Sequence, residues 1–253
     1  MNLENLRKEY HISIFKELLN VNDKGIPNNA DKYSKISVKL AKEIVKQIAI
    51  QTNSLKLSGQ TAGKSFEKLT LAYLKKVFSE INHLRSGKYE FFIGKSIEDF
   101  EQYEHLATVA EMLKRSSELR ATLGDYIISP DIVIGRLPVD DKKINQHKKL
   151  LTSDSKNTNL TPLRSVNSKK PLLHASISCK WTIRSDRSQN SRTEGLNLIR
   201  NRKGHTPHIS IVTAEPYPQR IASLALGTGD IDCVYHFALR ELLIAAEIIN
   251  SEP

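Results

Sequence analysis

The chain has 253 residues, 39% of them apolar, and a formal net charge of +10. That length suits one large domain or two small ones with a real core, and the positive surplus suits a polyanionic partner, because each phosphate neutralised by Lys or Arg releases condensed counterions. The two cysteines, Cys179 and Cys233, form no CxxC pair, which argues against a zinc-ribbon or disulfide-framework protein. Charge alone is equally compatible with a merely soluble basic protein. Residues Met1 to Tyr10 lack the apolar stretch of a signal peptide, and no run reaches membrane-spanning length. The expectation is a soluble protein of a reducing cytoplasm, with no membrane partner.

In chain order, Leu3, Leu6, Tyr10, Ile14 and Leu18 fall at helical spacing. Asn20 to Lys35 is rich in Asn, Asp, Gly and Pro and reads as a loop. Ile36, Leu40, Ile44 and Ile48 mark an amphipathic helix, which Leu57 to Gly63, with two glycines, is expected to break. Phe66, Leu69, Tyr73, Val77 and Ile81 stripe a longer helix. Tyr89 to Ile93 reads as a strand, and Glu98 to Leu123 as a helix ending at Gly124.

Beyond that point the period changes. Tyr126 to Ile134 reads as a strand broken by Pro130, and Asp140 to Lys170 as a polar, lysine-rich excursion with room for a short helix. Leu172 to Trp181 is a strand, Ser191 to Arg202 a short helix, and His208 to Thr213 a strand. Tyr217-Pro218 marks a turn, Gly227 to Asp230 a loop, and His236 to Ile249 a closing helix. The order predicts an α/β protein: a single domain over residues 1–253, mainly helical through 125, with an α/β core from 126 onward and a polar insertion near 140–170.

The chemistry concentrates around Ser176-Ile177-Ser178-Cys179-Lys180-Trp181. Hydrolysing a phosphodiester calls for a cation that neutralises phosphoryl oxygens and acidifies an attacking water, and Mg²⁺ takes oxygen donors. Asp131 opens a strand, and Glu194 follows Lys180 by fourteen residues. Ser178 and Lys180 stand two apart on one strand and share a face. A lone Asp at a strand start is usually a turn residue and a lone Lys usually solvated. Lys180 is harder to set aside, because a half-buried lysine wants a carboxylate or phosphate partner. Glu67, after Gly63-Lys64-Ser65-Phe66, reads more simply as a carboxylate complementing a helix dipole.

Arg184, Asp186 and Arg187 follow the strand directly. Arginine is the usual bidentate donor to guanine O6 and N7, and aspartate accepts from cytosine N4. A solvated salt-bridge cluster is the plainer alternative, and the adjacency of Lys180 tips the balance to base reading. Three readings follow: a sequence-specific nuclease, a repair or structure-specific nuclease of the same fold, and a DNA-binding protein without catalysis.

The stretches Ser176 to Arg187 and Ala225 to Leu239, with Asn29-Ala30-Asp31, Gly59-Gln60-Thr61 and Pro130-Asp131, resemble the type II restriction endonucleases of the PD-(D/E)xK superfamily that act on GCCGGC. The resemblance runs over most of the chain and implies a restriction-endonuclease-like core, a mixed β-sheet flanked by helices with an N-terminal helical layer. Ser178 stands where the motif has an acid, and the subgroup supplies that carboxylate from the following helix, the position of Glu194. By the same resemblance Glu67 is a further active-site acid, and the main-chain carbonyl of Cys179 joins Asp131 and Glu194 as a ligand of Mg²⁺, for which Mn²⁺ can substitute. Arg184, Asp186 and Arg187 are implied to read the inner CCGG, and Arg220 and Asp31 the flanking G·C pair, with Gln60 a weaker candidate. The implied substrate is duplex DNA cut as G/CCGGC, leaving 5′-phosphates on four-base 5′ overhangs. A homotetramer of two dimers and a cognate DNA methyltransferase complete the implied partners.

Overall fold

The structure, a computed structural model, describes residues 2–50, 59–118, 128–152, 158–183, 185–226 and 229–251. The fold is α/β, built on a five-stranded mixed sheet in the order β1-β2-β3-β4-β5. The strands are β1 (Tyr89–Ile93), β2 (Ile132–Arg136), β3 (Leu172–Lys180), β4 (His208–Thr213) and β5 (Cys233–His236). β1 runs antiparallel to β2, with Phe91 opposite Ile134, and β4 runs parallel to β5, with Val212 opposite Tyr235. The helices are α1 (Leu3–Glu17), α2 (Lys35–Ile48), α3 (Gly59–Glu80), α4 (Ala107–Arg115), α5 (Asp141–Ile144), α6 (Ser185–Asn201), α7 (Pro218–Ala225) and α8 (Leu239–Ser251). Contacts divide the chain into two compact units that alternate along the sequence: residues 1–80, 177–193 and 209–253 form one, and 81–176 with 194–208 the other.

In the first unit, Asn2 caps α1 by accepting from the N–H of Asn5, and Ser34 caps α2 through the N–H of Ser37. The predicted stripe of α1 is its core face: Leu6, Tyr10 and Ile14 are buried. α1 packs on α3, and α2 packs on α8. The Tyr10 hydroxyl and Thr70 Oγ1 lie 2.8 Å apart between α1 and α3, while the Tyr10 ring stacks on Tyr73 at 4.7 Å. Ile183, Ile211 and Leu224 form a buried cluster that β4 and α7 close together.

The second unit is organised around Phe100, Tyr103, Ile132, Ile134, Leu173 and Leu198, all buried. The Gln102 side chain behaves like an extra strand residue, donating to the Leu173 carbonyl at 2.9 Å and accepting from its N–H at 2.8 Å. Gly135 has a packing reason: a Cβ there would meet Phe100 at 3.1 Å and Pro171 at 3.2 Å.

Several sequence expectations change. The break expected at Leu57 to Gly63 is instead the first turn and a half of α3, which starts at Gly59; Leu57 and Ser58 lie outside the described residues. The long helix expected over 98–123 is two 3₁₀ stretches, Ile97–Asp99 and Glu101–Leu106, followed by α4, and 119–127 lie outside the described residues. The strand expected from Tyr126 begins at Ile132, after Pro130, since the residue before a proline is biased and proline has no donor. The polar excursion folds back on itself: Arg164 Nε and Nη2 donate to the Asp141 carboxylate at 2.9 and 2.6 Å, and Nη1 to Thr158 Oγ1 at 3.0 Å. α6 begins six residues before the expected Ser191. Pro218 starts α7 at its first turn, where its missing N–H costs nothing. The closing helix starts at Leu239, and β5 occupies part of its expected span.

Candidate functional site

β3 carries the predicted catalytic strand. Its residues from Ala175 to Cys179 are all buried, and Lys180 at its end is half-exposed. A strand hidden on both faces belongs in the middle of a sheet, and β3 is third of five. The end is pinned by main chain: the Lys180 carbonyl accepts from the N–H of Ala214 at 3.2 Å and from Thr213 Oγ1 at 2.7 Å. Trp181 follows and packs edge-on against Phe66 of α3 at 5.3 Å between ring centroids. That contact brings the turn of α3 bearing Glu67 to the end of β3. Glu67 is the ninth residue of α3, beyond the reach of a helix-dipole role, which fades within the first turn. The simpler reading of Glu67 therefore falls.

Asp131 and Glu194 belong to the second unit, and both are half-buried. Asp131 directly precedes β2, and its carbonyl accepts from the N–H of Gly94 at 3.1 Å. Glu194 lies in α6, whose later turns are anchored where the Tyr103 hydroxyl donates to the Leu198 carbonyl at 2.9 Å. Among the described residues no group of three or more His, Cys, Asp or Glu could hold a metal. The sequence-derived donor set has two carboxylates and a main-chain carbonyl. As all-oxygen chemistry with open positions for water, it fits a hard divalent cation such as Mg²⁺.

The predicted readers of the outer base pair meet directly. Arg220 Nη2 lies 2.5 Å from Asp31 Oδ2, and Nη1 lies 3.6 Å from Glu215 Oε2. Burial pulls the Arg220 pKa down, but the hydrogen bond to Asp31 and the nearby Glu215 outweigh it and hold it above the usual value. Glu215 is fully buried. Burial raises its pKa, against the lowering effect of N–H donors at Ile183 and Tyr217 and of Arg220. The Asn29 amide donates to the Ala214 carbonyl at 2.8 Å and so ties the Asp31 loop to the segment before Glu215. Of the inner-site readers, Asp186 and Arg187 fall in the first turn of α6, and Arg184 lies outside the described residues. Gln60 is the second residue of α3 and is exposed.

The sequence reading missed Glu215, Thr213 and Asn29. An acid between Ala214 and Pro216, closing the apolar run of β4, was the available signal. A cavity of about 880 Å³ in the second unit, lined in part by Arg136, His174, Lys203 and His208, includes none of the predicted site residues.

The profile of the NgoMIV restriction enzyme family matches residues 10–253. The type II restriction enzyme NgoMIV of Neisseria gonorrhoeae is 44% identical over 253 residues, which cover 97% of this chain and 88% of that protein. Among solved structures, the Type IIF restriction endonuclease Bse634I with cognate DNA matches at 14% identity and a TM-score of 0.40, covering 96% of this chain and 92% of that one. A second Bse634I structure matches at 14% identity and a TM-score of 0.41, covering 98% of each chain. The class is thus a type II site-specific deoxyribonuclease, a DNA-binding hydrolase. Within that class, the chain belongs to the NgoMIV restriction enzyme family.

Proposed function

We propose that this chain cleaves duplex DNA at GCCGGC, as G/CCGGC, leaving 5′-phosphates on four-base 5′ overhangs. One observation carries the catalytic half of this reading: a lysine emerges half-exposed at the end of a strand whose preceding five residues are buried. An ammonium at that position can meet a polyanion brought to the end of β3, and membership of a restriction enzyme family makes a backbone phosphate the natural one.

In this reading Asp131, Glu194 and the Cys179 carbonyl hold a divalent cation, Mg²⁺ with Mn²⁺ as substitute. When bound, the cation supplies charge neutralisation at the phosphoryl oxygens and a more acidic water. Lys180 orients the attacking water and donates to the non-bridging oxygen whose charge grows as the in-line displacement proceeds. Ser178, buried on the same face of β3 as Lys180, steadies that face by hydrogen bonding. Glu67 adds a further active-site acid from α3, next to the Phe66 that packs on Trp181. Arg184, Asp186 and Arg187 read the inner CCGG, Arg220 and Asp31 the outer G·C pair, and Gln60 assists from the start of α3. Two-fold symmetry of the target calls for at least a dimer, and a homotetramer of two dimers grips two sites. A cytoplasmic setting with a methyltransferase that protects GCCGGC fits such an activity.

Digesting plasmid DNA with Mg²⁺ and sequencing the ends tests the reading. Discrete fragments ending in 5′-CCGG overhangs support it; a smear or intact plasmid refutes it. Lys180→Ala is expected to lose cleavage by on the order of 1000-fold while binding the site within a few-fold of the parent, as followed by gel shift in Ca²⁺. Near-normal cleavage by that variant removes Lys180 from the reaction.

A further inference from the structure

We infer that Glu215 is a positioning residue that couples the two DNA-reading elements: its carboxylate braces the Arg220 guanidinium and fixes the main chain at Ile183, the residue before the segment Arg184 to Arg187. This rests on the assignment of those arginines and Asp186 as base readers made above.

The two elements are far apart in sequence, and one side chain bonds the residue before the first and the residue at the entrance of the second. Glu215 Oε2 accepts from the N–H of Ile183 at 2.9 Å, the residue immediately before Arg184. Oε1 accepts from the N–H of Tyr217 at 3.1 Å, at the entrance of α7, which carries Arg220. Arg220 Nη1 stands 3.6 Å from Oε2, while its Nη2 engages Asp31. The Glu215 N–H donates to Thr213 Oγ1 at 3.1 Å, and that hydroxyl donates to the carbonyl of Lys180 at 2.7 Å. Ile183 is also packed in a buried cluster with Ile211 and Leu224. Ile183 is therefore held both by apolar packing and by one carboxylate.

The chemistry of the position demands a carboxylate. Two main-chain N–H groups point at two different oxygens, so an amide would set its NH₂ against one of them, donor to donor. An apolar residue would leave both N–H groups unsatisfied. A fully buried acid is costly to keep, and this one sits where its charge can hold a guanidinium. When Arg220 turns to a guanine edge and Asp31 to its cytosine, Glu215 remains behind the arginine as its counter-charge.

The test uses the full chain with Mg²⁺ on duplexes carrying GCCGGC, a changed outer pair, or a changed inner pair. Glu215→Gln is expected to erode discrimination at both positions together, by about tenfold each. Glu215→Asp, which keeps the charge and both oxygens, recovers part of it, and it is the variant read if the Gln form does not fold. A fall in cleavage of all three duplexes with unchanged ratios reduces Glu215 to a structural role and overturns the coupling, as does erosion at the outer pair alone. Arg220→Ala runs alongside. If it leaves outer-pair discrimination intact, the base-reading assignment fails whatever Glu215 does. If it relaxes the outer pair while Glu215→Gln changes neither ratio, only the coupling fails.

Discussion

Two arginine–aspartate pairs in this molecule look alike and differ in kind. Arg164 gives Nε and Nη2 to Asp141 and Nη1 to Thr158, so all three guanidinium nitrogens donate at 2.6 to 3.0 Å. It is a closed clasp over the polar segment between α5 and β3. Arg220 holds Asp31 through one nitrogen and leans on a buried glutamate at 3.6 Å. Its contact with the glutamate is longer than any in the Arg164 clasp. A saturated guanidinium is structural, whereas an unsaturated one backed by charge is built to exchange partners.

Arg220→Ala should give the largest effect. Discrimination against a changed outer pair is expected to fall roughly 10- to 100-fold, read from cleavage rates on matched duplexes. Thermal stability should drop as well, because Glu215 loses its counter-charge. Arg164→Ala is the opposite case: a lower Tm with an unchanged ratio between cognate and altered sites. If Arg164→Ala shifts site preference, the contrast between clasp and reader collapses.

The smallest expected effect concerns pH. Burial lowers the pKa of His236 to about 4, and its Nδ1 accepts from the N–H of Ala238 at 3.1 Å. Burial likewise lowers His174 to about 4, with His208 adding to the effect. A group whose folded pKa is depressed contributes stability above its unfolded pKa and loses it as pH falls toward the folded one. Urea unfolding should therefore show stability declining from about pH 6.5 toward pH 4. Replacing His236 by Asn, which keeps an acceptor for Ala238, should flatten that decline. An equally steep decline in the variant would point to other groups, the Arg–Asp pairs among them.

Much of the fold was legible because burial sets apolar residues at regular places: β4, with Ile209, Ile211 and Thr213 buried in alternation, matches its expected span, and β3, buried from Ala175 to Cys179, ends one residue short of it. The helical stripes of α1 and α2 were legible for the same reason. The start of α3 was not, because Gly59 and Gly63 read as breakers, yet a Cβ at either would meet only open space, and the apolar face from Ala62 to Thr70 overrides them. The 3₁₀ path from Ile97 to Leu106 was hidden by an amphipathic spacing that both helix types share. Among site residues, those with a motif at fixed spacing stood out, Lys180 above all. Glu215 did not, since nothing local reveals that three separate donors converge on one buried acid.

The alternation of the two units along the chain has a bearing on how the protein is made. Asp31 leaves the ribosome some 189 residues before its partner Arg220, and α2 finds its packing surface only when Leu239–Ser251 emerges. The contact between Asp31 and Arg220 therefore forms only after the segments carrying β1 to β4 have been made.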